Sequence, residues 1–184
     1  MKYIYIFFFV LISFNSNSSI KNAIKLKLEN TNNINFNFVQ KIENKIEKGN
    51  CTISYPKKIY CKYDDIFEKV LVSNGRSLII NSKKITNYLR YNLKDTPLNM
   101  ILDKEFLINK IKEINEVEEN EEIYFIKINH NNNLITLFFN KDSYDLKGWT
   151  TTDIYQNKVE TLLLNIRTNL MIDEKIFRVQ RYIN

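Results

Sequence analysis

Few residues of this 184-residue chain have the types and spacing to do chemistry. His130 is the one histidine, and it opens the run His130-Asn131-Asn132-Asn133 between two apolar stretches, where a hairpin is expected to turn. A Ser-His-Asp or Cys-His site would have to use it, and a histidine at a turn tip is expected to stand exposed instead. The acidic run Glu116 to Glu122 lacks the glycine and Asp-x-Asp spacing of a calcium loop and reads as a solvated segment. Three scattered glycines, Gly49, Gly75 and Gly148, make no phosphate-cradling loop. The expectation is a binding protein, not an enzyme, with no catalytic residue, metal or cofactor.

The two cysteines are better explained by each other. In Gly49 to Tyr63 the pattern is two short strands around Tyr55-Pro56-Lys57, with Cys51, Ile53 and Tyr55 on one face going up and Ile59, Cys61 and Tyr63 coming back. A turn centred on Pro56 puts Ile53 opposite Ile59 and Cys51 opposite Cys61, within reach of a cross-strand disulfide. A one-residue slip would leave two buried thiols. Thr52, Ser54, Lys58, Tyr60 and Lys62 face outward, so the hairpin has one apolar and one wet face, as a curved antiparallel sheet requires.

The elements around this hairpin follow from periodicity. Ser18 or Ser19 caps a first helix with a stripe of Ile20, Ala23, Ile24 and Leu28, ending in Asn30 to Asn33. Ile34, Phe36, Phe38 and Gln40 alternate with polar neighbours as a half-buried strand running to about Ile46, with a turn at Glu47 to Asn50. Lys69 to Val72 and Ser77 to Asn81 pair across Asn74-Gly75, a dipeptide that tolerates positive φ. A strand is expected over Ile85 to Leu93, then helices from Thr96-Pro97 and over Lys104 to Ile114. Strands follow over 123–129, 134–140, 147–154 and 158–167, and Met171 to Phe177 reads as a helical turn ending in a strand. About ten strands thus form one antiparallel sheet whose concave side the helices cover. Phe36 and Phe38 could stack on bases, but no basic residue shares their face, so they read as core or cavity lining and no nucleic-acid partner is expected.

Composition fits a single domain of 19–184: the chain is 44% hydrophobic, with 3 Gly and 2 Pro. The net charge of +6 comes mostly from dispersed Lys, which reads as composition bias more than a basic patch. Met1-Lys2-Tyr3, an apolar run over Ile4 to Ile12 and the small polar Ser13 to Ser19 read as a signal peptide over 1–18, since the run is too short to span a bilayer. No cysteine follows that run, so an exported protein without a lipid anchor is expected, and export suits a disulfide.

The order of elements resembles the periplasmic outer-membrane lipoprotein carriers, the LolA family. The resemblance rests on the helix after the signal, Phe38-Val39-Gln40, the strand-Pro-strand hairpin at Pro56, and Leu71 to Leu78. It continues through Thr96-Pro97-Leu98, Leu146 to Trp149, Asn165 to Asn169 and Asp173 to Phe177. It implies an incomplete, strongly curved antiparallel β-barrel (mainly β, α+β) with an N-terminal helix and a helical lid over a hydrophobic cavity. It implies a monomeric periplasmic chaperone that takes acylated lipoproteins from an inner-membrane lipoprotein-releasing ABC transporter and hands them to an outer-membrane acceptor. An alternative is a periplasmic lipid- or lipoprotein-sensing regulatory domain of an envelope stress pathway. The expected cavity lining is Phe36, Phe38, Ile53, Tyr55, Ile59, Tyr63, Val70, Val72, Leu78, Ile80, Leu98, Ile101, Leu102 and Phe106. Where the family commonly has an arginine before the hairpin proline, tied to lid opening, this chain has Tyr55, which becomes the candidate lid latch. Ile59 and Cys61 stand where the family carries aromatics, and a Cys51–Cys61 link is expected to stiffen the hairpin instead.

Overall fold

The computed structural model describes residues 16–82, 84, 88–130, 133–153 and 156–183. The apolar run of the expected signal peptide, residues 85–87 of one expected strand, Asn131 and Asn132 of the His130 turn, and Ile154 and Tyr155 lie outside them.

Among the described residues one antiparallel sheet holds eleven strands. They are β1 (Asn33–Ile42), β2 (Lys45–Ser54), β3 (Lys58–Tyr63), β4 (Lys69–Asn74), β5 (Ser77–Ser82), β6 (Leu89–Asn92), β7 (Glu118–Glu119), β8 (Ile123–His130), β9 (Asn133–Asn140), β10 (Leu146–Thr152) and β11 (Lys158–Thr168). The spatial order is β6-β5-β4-β3-β2-β1-β11-β10-β9-β8-β7. Two meanders are thus zipped together where β1 pairs with β11, and the sheet ends on β6 and β7 without closing. Inward positions alternate with outward ones along each strand: Ile34, Phe36 and Phe38 are buried, and so are Ile126 and Ile128, Ile135, Leu137 and Phe139.

The hairpin register is the one the sequence dictates. Cys51 pairs with Cys61 and Ile53 with Ile59, and a disulfide joins the two cysteines, whose Cα atoms are 4.1 Å apart. The β4–β5 turn also follows its Asn-Gly signal: Gly75 has φ +93, and Asn74 Oδ1 accepts from Arg76 N and Ser77 N at 3.0 Å.

Other expectations are corrected. The first turn falls at Glu43-Asn44, four residues early, and Glu47 to Asn50 are strand. Gly49 is there for space: it pairs with Phe38, and a Cβ on it would lie 2.8 Å from Phe38 Cε1 and 2.1 Å from the Lys62 carbonyl oxygen. The Phe38 ring lies at that gap and meets Tyr63 edge-on, with centroids 5.0 Å apart. The acidic run contributes β7, where Glu118 pairs with Lys127 and Glu119 with Lys141, both at 2.6 Å. The chain closes in two 3-10 turns, Glu174–Phe177 and Val179–Tyr182, with no strand among them.

The helices cover the concave side. α1 (Ser16–Glu29) starts before the expected Ser18 and buries Ile24 and Leu28. α2 (Leu98–Leu102) and α3 (Lys104–Glu113) bury Ile101, Leu102, Leu107, Ile108 and Ile111. Lys21 Nζ of α1 donates to Ile114 O beyond the end of α3, while Lys104 Nζ of α3 donates to Glu29 O and Thr31 O at the end of α1. The two helices therefore lie antiparallel, and each places an ammonium on the carbonyl end of the other, where the helix dipole favours it. Thr96 does not cap α2; its hydroxyl donates back to Leu93 O at 2.8 Å and closes a 3-10 turn. Asp103 caps α3 instead, accepting from Phe106 N at 3.1 Å.

Candidate lipid-binding cavity

Beside the start of α2 the concave sheet lines a half-open cavity of about 360 Å³. Its wall follows the inward positions across the strands: Phe36 and Phe38 of β1, the Cys51–Cys61 disulfide, Ile59 and Tyr63 of β3, Leu71 of β4, Leu78 and Ile80 of β5. Trp149 of β10 forms the far wall, edge-on to Phe36 at 6.3 Å, and Leu98 of α2 is the lid residue over it. One end of the strands is plugged where Ile53, Ile101 and Leu102 are fully buried against one another's elements. The other end, at Ile42, Glu47, Lys69 and Asp153, carries the cavity's charges.

The expected lining thus divides. Phe36, Phe38, Ile59, Tyr63, Leu78, Ile80 and Leu98 do line the cavity. Ile53, Ile101 and Leu102 are core beneath the lid and do not open into it. Phe106 lies on the far side of the lid, where its ring meets His130 edge-on at 5.0 Å beside a second, polar hollow. Val70 and Val72 face the other way, because Val70 pairs with Lys62 and Val72 with Tyr60, both outward residues of β3. Val72 packs with Ile79 under Val179 of the last 3-10 turn. The inward residue of that strand is Leu71, opposite Cys61; continuing the hairpin register one strand further would have found it. Trp149, Tyr91 and Leu89 also line the cavity, and no local pattern marks them because their pairings depend on long-range strand order.

Tyr55 is no latch. Its hydroxyl is buried and has no hydrogen-bond partner among the described residues, and burial pushes its pKa up. The bonds to the lid come from two residues further on, where Lys57 N donates to Leu102 O at 2.9 Å and Lys57 Nζ reaches Asp103 Oδ2 at 3.0 Å. Lys57 and Asp103 are partly exposed, so that pair is weak. The polar contact between this hairpin and the α2–α3 junction is therefore light, and the helices are held chiefly by their buried Ile101, Leu102, Leu107 and Ile111. Asp103→Ala removes this pair and the α3 cap together, about 1 kcal/mol for the cap alone. Amide exchange over residues 98–113 is expected to quicken roughly fivefold or more, with the sheet amides unchanged.

At the charged end Glu47, 10% exposed, accepts from Lys69 Nζ at 2.6 Å and from Lys45 at 2.5 Å. Burial alone would raise its pKa, but the bonds from Lys45 and Lys69 outweigh it and hold the carboxyl below its ordinary value. A carboxyl lowered by folding stabilises the fold above its unfolded pKa and loses that contribution as pH falls through the folded value. Glu47→Gln is expected to flatten the acid limb of stability below about pH 4.5, read as Tm against pH, and to leave the alkaline limb unchanged.

A family model, outer membrane lipoprotein carrier protein LolA, matches residues 29–180. The chain belongs to the LolA family. Solved structures share the fold of this LolA-family chain at sequence identities that carry only the fold. MucB superposes with a TM-score of 0.55 at 11% identity, over 93% of this chain and 65% of MucB. An uncharacterized conserved protein from Thermus thermophilus gives 0.54 at 5% identity, over 89% of this chain and 93% of that one. A provisionally assigned outer membrane lipoprotein-sorting protein domain from Vibrio parahaemolyticus gives 0.53 at 9% identity, over 89% and 97%. No curated protein sequence matches the chain. Among the described residues, no helix of this LolA-family protein is long and apolar enough to cross a membrane.

Proposed function

We propose that this LolA-family protein is a periplasmic carrier that hides the acyl chains of lipoproteins on their way to the outer membrane. On this reading it takes them, as a monomer, from an inner-membrane ATP-driven transporter, delivers them to an outer-membrane acceptor, and catalyses no reaction. The observation that carries the reading is the apolar cavity on the concave face, walled by Phe36, Phe38, Leu71, Leu78, Ile80 and Trp149 and roofed by Leu98. Each methylene removed from water contributes about 0.8 kcal/mol, so an acyl chain is stabilised in proportion to the length that this apolar wall covers. At about 360 Å³ the cavity sits near the lower end of the roughly 300–1,000 Å³ of small-ligand sites. Several acyl chains need more room, which on this reading comes from breaking the Lys57 contacts and lifting the buried residues of α2 off the sheet.

The test is release of a triacylated lipoprotein from inner-membrane vesicles supplied with ATP and this protein. Soluble lipoprotein is expected with the wild type and not with Leu98→Asp, which places a carboxylate on the cavity roof. No release by the folded wild type overturns the carrier reading.

A further inference from the structure

We propose that Lys69 is the cavity's recognition group for an ester: its ammonium donates to the carbonyl oxygen of an ester-linked acyl chain lying along the wall. This rests on the acyl-binding reading above and adds what the site recognises besides hydrocarbon. Glu47 and Lys69 both occupy inward positions, on β2 and β4, and both line the cavity at its charged end. Lys69 Nζ is fixed from two sides. Glu47 Oε1 accepts from it at 2.6 Å, and the face of Tyr63, another cavity residue, lies 3.9 Å away.

An ammonium has three N–H donors, and these two neighbours engage two of them. The third is left for a ligand's oxygen at the edge of the apolar wall formed by Tyr63, Leu71 and Ile80. Several of the cavity's other polar groups are engaged elsewhere: Gln40 Nε2 donates to Thr161 Oγ1 at 2.9 Å, Thr96 Oγ1 donates to Leu93 O at 2.8 Å, and the Asp153 carboxylate accepts from Asn157 at 2.9 and 3.0 Å. The ligand class follows from charge. Lys45 and Lys69 both pair with Glu47, and Asp153 stands at the same end, so the charges balance and leave no net positive field to draw in a phosphate or a fatty-acid carboxylate, whereas a neutral ester carbonyl needs only the remaining N–H. Holding the ammonium between a carboxylate and a ring also removes the rotamer entropy that a free lysine loses on binding.

The experiment titrates the whole mature protein with glycerol monododecanoate and with 1-O-dodecylglycerol, an ether of the same chain and headgroup that lacks the carbonyl. Trp149, the chain's one tryptophan, reports from the cavity wall by its fluorescence. The wild type is expected to bind the ester about tenfold more tightly than the ether, as one bond from a charged donor allows. Lys69→Met is expected to bind both with the wild type's affinity for the ether, and Lys69→Arg, which keeps a donor, to retain a preference. Equal wild-type affinities, or a preference that survives Lys69→Met, overturn the ester role while leaving acyl binding intact. Failure of the folded wild type to bind either lipid overturns both.

Discussion

Gly49→Ala is expected to destabilise the protein by about 3 kcal/mol, at the upper end of overpacking substitutions. The methyl would lie 2.1 Å from the Lys62 carbonyl oxygen and 2.9 Å from Tyr63 Cα, both backbone atoms of β3. Backbone cannot turn aside as a side chain can, so β2 and β3 must separate where Phe38 and Tyr63 form the cavity wall. In a domain of this size the loss corresponds to a fall in Tm of roughly 6–12 °C. The same substitution should weaken any ligand that binds between those rings. A Tm within about 2 °C of wild type would show that the close approach at Gly49 is not structural.

The Cys51→Ala, Cys61→Ala double variant is expected to cost a similar amount, about 2.5–3 kcal/mol. Its cause lies in the unfolded chain, because the bridge closes a loop with a sequence separation of 10. The bridge also ties β2 to β3 immediately beside Gly49 and forms part of the cavity wall. Losing it therefore loosens the wall as well as the hairpin, and a reductant should reproduce the fall in Tm in the wild type and change nothing in the double variant. Unchanged heat stability in both cases would mean that the link does not stiffen the hairpin.

Local signals carry much of the architecture. Period-two alternation, the Asn74-Gly75 turn and the Cys51/Cys61 opposition each depend on a few neighbouring residues, and the structure keeps all three. The misreadings fall where local pattern is ambiguous. Gly49 looks like a turn glycine, and only the approach of Phe38 and Lys62 explains it as a strand residue. Val70 and Val72 look like the buried side of β4 because they are the more β-prone pair, but register with Tyr60 and Lys62 turns them outward. Tyr55 inherits the latch from its place before Pro56, whereas the bonds to the lid come from Lys57, whose φ of +65 carries the chain round the turn. The Glu47–Lys69 pair is invisible in the sequence because 22 residues, including the whole of β3, separate its members.

Native mass spectrometry of the mature protein mixed with a purified triacylated lipoprotein tests the central claim most directly. A one-to-one complex is expected with the wild type, stronger after Asp103→Ala loosens the lid and absent after Leu98→Asp. A folded wild-type protein that stays bare, or an equally abundant complex with Leu98→Asp, would contradict the assignment of this cavity to acyl chains.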